Sequence, residues 1–274
     1  MTPSAAVEPP IPFRRRGAKD RAAVMRGYDT LMSRVYDFLT CWFMAPLIRE
    51  SHVTLLEHLK VVASSRLLDV GCGTGTLMAL AGASGSLDLM AGADISTAML
   101  ERARRKLSRA GLSDRTELVL ADAEALPFRE SSFGSCACSG TLRFVPDPAT
   151  ALGEACRVLG DGGGLGLREM ICGEAPLAIK HIPLPFKPSF VVWRLLPDRW
   201  VEAYLRLAGF DGVTSFRKGM VPQFIFAMGP PVRKYAFFFA RKPLQRARLP
   251  AAERPVAPAI ARIERSTRNV SWEA

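Results

Sequence analysis

The sequence predicts an α/β protein: a doubly wound, mostly parallel sheet with helices on both faces and a helical cap on its N-terminal side. Three observations predict it. Short apolar runs of strand length alternate with helical runs from residue 66 to residue 170, the rhythm of parallel strands joined by helical crossovers. The first of these runs, Leu67-Leu68-Asp69-Val70, empties into Gly71-Cys72-Gly73-Thr74-Gly75, and Thr76-Leu77-Met78 then opens a helical stretch. A glycine loop therefore stands between a strand and a helix N-terminus, where a ligand can approach backbone N–H groups. Finally, 274 residues at 49% hydrophobic composition suffice for one large core, or a core with a small appendage.

Residues 1–21 read as a disordered basic segment, with prolines followed by Arg14-Arg15-Arg16. Residues 22–60 read as the helical cap, broken near Pro46 and rich in aromatics (Tyr28, Tyr36, Phe38, Trp42, Phe43). Such a stretch suits a cover over a site, a membrane-surface helix, or ordinary packing on the main domain. The main domain is expected over residues 61–241. Its strands are Arg66–Val70, Leu89–Asp94, Thr116–Leu120 and Ser135–Ser139, with helices over Thr97–Ala110 and Pro148–Leu159. Gly162-Gly163-Gly164 reads as a turn into a fifth strand, Leu165–Met170. The rhythm then stops: residues 171–197 are apolar and punctuated by five prolines. Asp198 is placed to cap a helix ending at Ala208-Gly209-Phe210, and Asp211–Arg217 and Lys234–Arg241 read as closing strands around an apolar loop, Met220–Pro231. Residues 242–274 form a basic tail expected to be flexible.

The formal charge of +11 is unevenly placed. Residues 1–26 hold six Lys/Arg against two acids and residues 241–274 hold eight against three, so the stretch between carries only +2. No uniformly basic groove runs through the body, which argues against a nucleic-acid partner. Basic ends suit peripheral contact with anionic lipid, an acidic partner, or simple solubility. No apolar run reaches about eighteen residues, and the N-terminus lacks an apolar signal core, so a cytoplasmic protein is expected, with attachment to the membrane surface left open. Six cysteines form no CxxC pair and no Cys/His cluster at zinc spacing, so no metal site is expected. Cys136 and Cys138 alternate along a strand and should share a core face. His52 and His58 lie six apart on a helix, on different faces.

Asp69 separates two kinds of glycine-loop ligand. A dinucleotide fingerprint has the form G-x-G-x-x-G and seats a pyrophosphate, which an adjacent carboxylate would repel. Here the spacing is G-x-G-x-G, and the carboxylate suits a cationic ligand carrying an ammonium and a sulfonium. The run Leu67-Leu68-Asp69-Val70-Gly71-Cys72-Gly73-Thr74-Gly75 resembles the first motif of the class I S-adenosylmethionine-dependent methyltransferases. The closest likeness is to the quinone-biosynthesis C-methyltransferases and their small-molecule relatives, over about residues 66–241. The resemblance implies a Rossmann-like sheet of seven strands with an antiparallel final pair, and S-adenosylmethionine as cofactor. Asp69 with Gly71, Gly73 and Gly75 would then form one side of the cofactor site. Asp94, nineteen residues beyond Gly75, would hold the ribose hydroxyls, with Ile95 against the adenine; a helix cap is the simpler role for this aspartate. In Ala121-Asp122-Ala123-Glu124-Ala125-Leu126-Pro127-Phe128, Asp122 would take the adenine amino group and Ala123 the ring edge. Ser139 and Gly140 would present backbone carbonyls to the methionine end. The family's usual acid is replaced by Gly134.

On the acceptor side, Leu142-Arg143 with Val145 and Asp147 resembles the quinone enzymes' L-R-N-V-T-D segment. The resemblance implies that Arg143 stabilises a phenolate or polarises a ring oxygen; a surface pair with Asp147 is the plainer alternative. The family's asparagine is replaced here by Phe144, which questions quinone C-methylation itself. Tyr28 in the cap and His181 in the proline-rich insertion are the other candidate catalytic residues. Methyl transfer from a sulfonium mainly requires alignment, so no diagnostic triad is needed. The apolar stretches 171–197 and 220–231 suit walls for a hydrophobic small-molecule acceptor, such as a quinone, a lipid or a secondary metabolite. The Asp/Asn-Pro-Pro-Tyr motif of base methyltransferases is absent. The basic ends also admit an aminophospholipid N-methyltransferase, and the missing catalytic signature admits a cofactor-binding scaffold.

Overall fold

The computed structural model describes residues 45–59, 66–83, 87–172, 177–179, 193–218 and 235–244. The helices are α1 (Ala45–Leu59), α2 (Thr76–Ala83), α3 (Thr97–Arg109), α4 (Pro148–Val158) and α5 (Asp198–Leu207). The strands are β1 (Arg66–Val70), β2 (Leu89–Asp94), β3 (Thr116–Leu120), β4 (Phe133–Ser139), β5 (Leu159–Cys172), β6 (Leu177–Ile179), β7 (Trp193–Pro197), β8 (Asp211–Lys218) and β9 (Tyr235–Arg241).

The parallel strands run in the order β3-β2-β1-β4-β5. β9 joins antiparallel to β5 and β8 antiparallel to β9, completing the seven-stranded sheet with its inverted final pair. Two short strands from the proline-punctuated insertion extend it: β7 pairs with Ile171 and Cys172 at the end of β5, and β6 runs antiparallel to β7.

The central strands are apolar on both sides because helices cover both faces. Leu68, Val70, Cys136 and Cys138 point into one core with Leu152 and Ala155 of α4 and Val201 and Leu205 of α5. Leu67 and Ala137 point into the other, against Leu55 and Leu59 of α1, Met78 of α2 and Leu107 of α3. Helix α1 is thus a core element. Leu55 is wholly buried, so over residues 45–59 the stretch expected as a cap is packed on the sheet; residues 22–44 lie outside the described residues.

Three local expectations are corrected. The glycine triplet is inside β5 rather than a turn before it. Phe133 pairs with Leu159 but Ser135 pairs with Gly164, so the intervening residues of β5 bulge. The bulge is held from the C-terminal side, where the Gly162 N–H donates to the Lys242 carbonyl and the Lys242 N–H to the Gly163 carbonyl, both at 2.9 Å. Second, β4 begins at Phe133, two residues early, because Phe133 already pairs with β5. Third, Asp198 is the first residue of α5 rather than its cap. Its carboxylate instead pairs with the Arg217 guanidinium on β8 and accepts the Arg199 N–H at 2.9 Å.

Candidate active site

The sheet order places β1 next to both β2 and β4, so the chain reverses its winding direction beside the end of β1. That is where a doubly wound sheet opens a crevice. The loop after β1 is anchored to β2 by two N–H donors, Gly71 and Cys72, which share the Ala93 carbonyl at 2.7 and 3.1 Å. Gly71 has φ +70°, and a Cβ there would meet the Thr141 hydroxyl oxygen at 2.1 Å. Thr141 in turn donates to the Val70 carbonyl at 3.2 Å, so the loops after β1 and β4 touch. Gly73, at φ +52°, has nothing within 4 Å of where its Cβ would stand. Its backbone is bared to the crevice.

Asp94 closes β2 and is held by two backbone donors. One carboxylate oxygen accepts the Gly73 N–H at 2.8 Å and the other the Ser96 N–H at 2.9 Å. The cap of α3 is Ser96, whose hydroxyl accepts the Met99 N–H at 3.3 Å. Asp94 is therefore spared for the loop. Asp122 accepts the Glu124 N–H at 3.0 Å, a local turn that the loop needs because it has left the sheet. Helix α4 pins that loop: Glu154 accepts the Leu126 N–H, while Arg157 donates to the Leu126 and Phe128 carbonyls.

One crevice collects Gly71, Gly73, Asp94, Ile95, Asp122, Ala123 and Ser139, enclosing about 850 Å³ of empty space that includes open solvent. Its charged lining consists, among the described residues, of Asp94 and Asp122. Asp69 lies just behind, 2% exposed. Burial, then the nearby Asp94 charge, pushes its carboxyl up to about 7. The Cys72 thiol in the loop is pushed up as well, first by burial and then by Asp69 and Asp94, and stays protonated rather than nucleophilic. A crevice with acids at its wall and behind it selects a cation; its apolar flank, Ile95 and Met99, suits a flat ring.

A family model described as a methyltransferase domain matches residues 68–167. The chain is 42% identical over 192 residues to the demethylmenaquinone methyltransferase of Clavibacter sepedonicus, an alignment covering 59% of this chain and 75% of that one. The chain belongs to the class I S-adenosylmethionine-dependent methyltransferases, in the UbiE-like group. It is also 36% identical over 155 residues to the ubiquinone/menaquinone biosynthesis C-methyltransferase UbiE of Xylella fastidiosa, covering 55% of this chain and 60% of that relative. The geranyl diphosphate C-methyltransferase of Streptomyces coelicolor superposes with a TM-score of 0.63 at 13% identity, over 82% of this chain and 99% of that one, and shares the fold.

S-adenosylmethionine is the cofactor of this methyltransferase, and the crevice fits it. The bared Gly73 backbone admits close approach, Asp94 is fixed at the end of β2, and the acids favour a sulfonium and an ammonium. Gly75 sits outside the lining, and its Cβ would stand 3.1 Å from the Ala103 methyl on α3. Arg143 is also outside the lining. Its Nε donates to the Gly140 carbonyl at 2.9 Å and its guanidinium lies 5.4 Å from the Phe144 ring centre. The Asp147 carboxylate caps α4, accepting the Ala149 and Thr150 N–H groups. Tyr28 and His181 lie outside the described residues.

Sequence reasoning passed over Thr141, Met99 and Pro146, and named Phe144 and Val145 only within the segment resembling the quinone enzymes; all five are on the crevice wall. It also missed that His52 of α1 meets Ser139, with Nε2 3.0 Å from the hydroxyl oxygen. A signal existed. His52, Leu55 and Leu59 share one helical stripe, and Ser139 shares a strand face with Ala137, the face that α1 covers. His58 points elsewhere, its ring 4.8 Å from that of Phe216.

Proposed function

We propose that this methyltransferase acts on a hydrophobic, oxygen-bearing ring compound of the quinone type, by direct displacement at the sulfonium methyl group. The observation that carries this reading is the apolar wall of Phe144, Val145 and Pro146 on the cofactor crevice, just beyond Ser139 and Gly140. The Clavibacter and Xylella relatives, a demethylmenaquinone methyltransferase and a ubiquinone/menaquinone biosynthesis C-methyltransferase, support the same acceptor class.

In this reading Asp94 holds the ribose hydroxyls, Ile95 and Ala123 the adenine, Asp122 its amino group, and Asp69 with the glycine loop the methionyl end. The bound cofactor supplies an electrophilic methyl group. The chain's own work is to align the acceptor and exclude water. Arg143, outside the crevice lining but fixed to the Gly140 carbonyl beside the Phe144 ring, is in this reading the positive charge that steadies a phenolate or enolate oxygen as the ring attacks. Phe144 stands where the family has an asparagine, a departure that speaks against the family's own quinone C-methylation; in this reading its ring instead adds a flat apolar face to the acceptor wall. Tyr28 and His181 remain candidate acceptor-side residues.

The test is methyl transfer from labelled S-adenosylmethionine to 1,4-naphthoquinol, with phosphatidylethanolamine vesicles as comparison. Label in the naphthoquinol supports the reading. Label in the phospholipid alone overturns it.

A further inference from the structure

Ser139 closes β4 on the crevice wall, and two side chains converge on its hydroxyl from different elements. His52 of α1 places Nε2 at 3.0 Å and Arg168 of β5 places Nη1 at 3.2 Å from Oγ. Arg168 and His52 are both buried, at 5% and 8% exposure, and the Arg168 guanidinium lies 3.9 Å over the Tyr235 ring. These are supported groups on packed elements.

The proton positions follow from what each group is able to do. A guanidinium only donates, so Arg168 occupies one lone pair of Ser139 Oγ. His52 is neutral: burial first, then the charges of Arg168 and Lys106, push its imidazole down to about 3. A neutral imidazole carries one N–H. Its Nδ1 is buried with no hydrogen-bond partner among the described residues. A bare buried lone pair is tolerated better than a bare buried N–H, which puts the proton on Nε2, donating to Ser139. This tautomer is assigned from the hydrogen-bond pattern. Ser139 Oγ then accepts twice, and its own proton has to point elsewhere.

We propose that His52 and Arg168 make the Ser139 hydroxyl a dedicated hydrogen-bond donor to a negatively charged oxygen bound in the crevice, with His52 as its positioning residue. Two donors into one hydroxyl oxygen strengthen the donation from its O–H. Keeping His52 neutral also avoids placing another positive charge near the sulfonium. The oxygen belongs either to the cofactor's carboxylate or to a phenolate or enolate of the methyl acceptor. The proposal rests on the cofactor assignment and holds whichever ring compound is methylated.

The tautomer is read from the ¹⁵N imidazole spectrum of the full chain, which has three histidines; His52→Gln assigns the signal. A protonated Nε2 with a bare Nδ1 is expected, and a protonated Nδ1 overturns the proposal regardless of any acceptor. Calorimetry of Ser139→Ala with S-adenosylhomocysteine and its decarboxylated analogue then locates the oxygen. A tenfold loss confined to the carboxylate-bearing ligand places it on the cofactor. Unchanged binding of both, with a tenfold loss of kcat on the naphthoquinol, places it on the acceptor. Unchanged binding together with unchanged turnover overturns the proposal. His52→Ala should copy Ser139→Ala, while His52→Gln, whose amide reaches the Nε2 position, restores the affected parameter to within threefold. Wild-type protein that leaves naphthoquinol unmethylated refutes the quinone reading alone; the spectrum and the calorimetry still decide the role of His52.

Discussion

Asp94 and Gly73 are joined by a 2.8 Å hydrogen bond from the glycine N–H to the carboxylate, across twenty-one residues of sequence. The same carboxylate that faces the crevice therefore sets the shape of the loop opposite. Its second oxygen, on the Ser96 N–H at 2.9 Å, fixes the start of α3. Ligand recognition and loop conformation are one device here.

Asp94→Ala should consequently cost more than a single ligand contact. Losing hydrogen bonds to a charged acceptor forfeits about 1.5–3 kcal/mol apiece, so affinity for S-adenosylhomocysteine should fall by about two orders of magnitude. Calorimetry measures it, with circular dichroism to show that the sheet persists. Asp94→Asn, which keeps one acceptor, should fall between the two.

Asp69 makes cofactor binding proton-linked. Its carboxyl is raised from 3.8 to about 7, so in the ligand-free protein it is largely protonated at pH 6. The folded state holds this proton more tightly than the unfolded chain does. The group therefore favours folding at low pH, a contribution that declines as the pH rises from about 3.8 and is gone above about 7. A cationic cofactor favours the ionised form, so binding at pH 6 should release up to one proton, a release that fades as the pH passes about 7, and affinity should rise over the same interval. Calorimetry in buffers of different ionisation enthalpy counts the protons. Asp69→Asn should abolish the release; an unaltered count would refute the assignment.

Gly71 is constrained twice, by its φ of +70° and by the Thr141 side chain. A left-handed non-glycine residue costs about 1–2 kcal/mol, and the overlap with Thr141 adds to it. Gly71→Ala should lower the unfolding midpoint and loosen cofactor binding. Thr141→Gly in the same chain removes the overlap but leaves the backbone strain, so recovery should be partial. Full recovery would show that conformation at Gly71 is unimportant.

Leu55 distinguishes a packed helix from a lid. It is wholly buried between α1 and the sheet, with Gly166 of β5 close beneath. Leu55→Ala should destabilise the protein by about 2–5 kcal/mol in urea unfolding. A change below about 0.5 kcal/mol would mean that α1 contributes little to the core.

The parallel sheet and the glycine loop were legible in the sequence, as were Asp94 and Asp122, the acids that the fold brings to one crevice. These are written in local signals: apolar runs of strand length, glycines at fixed spacing, and acids at strand ends. What sequence reasoning misplaced are features whose cause lies far along the chain. The glycine triplet is a bulge because Lys242 reaches it, and Asp198 enters α5 as its first residue with one carboxylate oxygen turned to Arg217 on β8. The His52–Ser139–Arg168 meeting belongs to the same class. Its members are separated by 87 and 29 residues, and no local pattern couples a helix stripe to the face of a strand. Only the closing of the core between α1 and the sheet brought them together, and burial there, rather than residue type, made His52 a neutral hydrogen-bonding group.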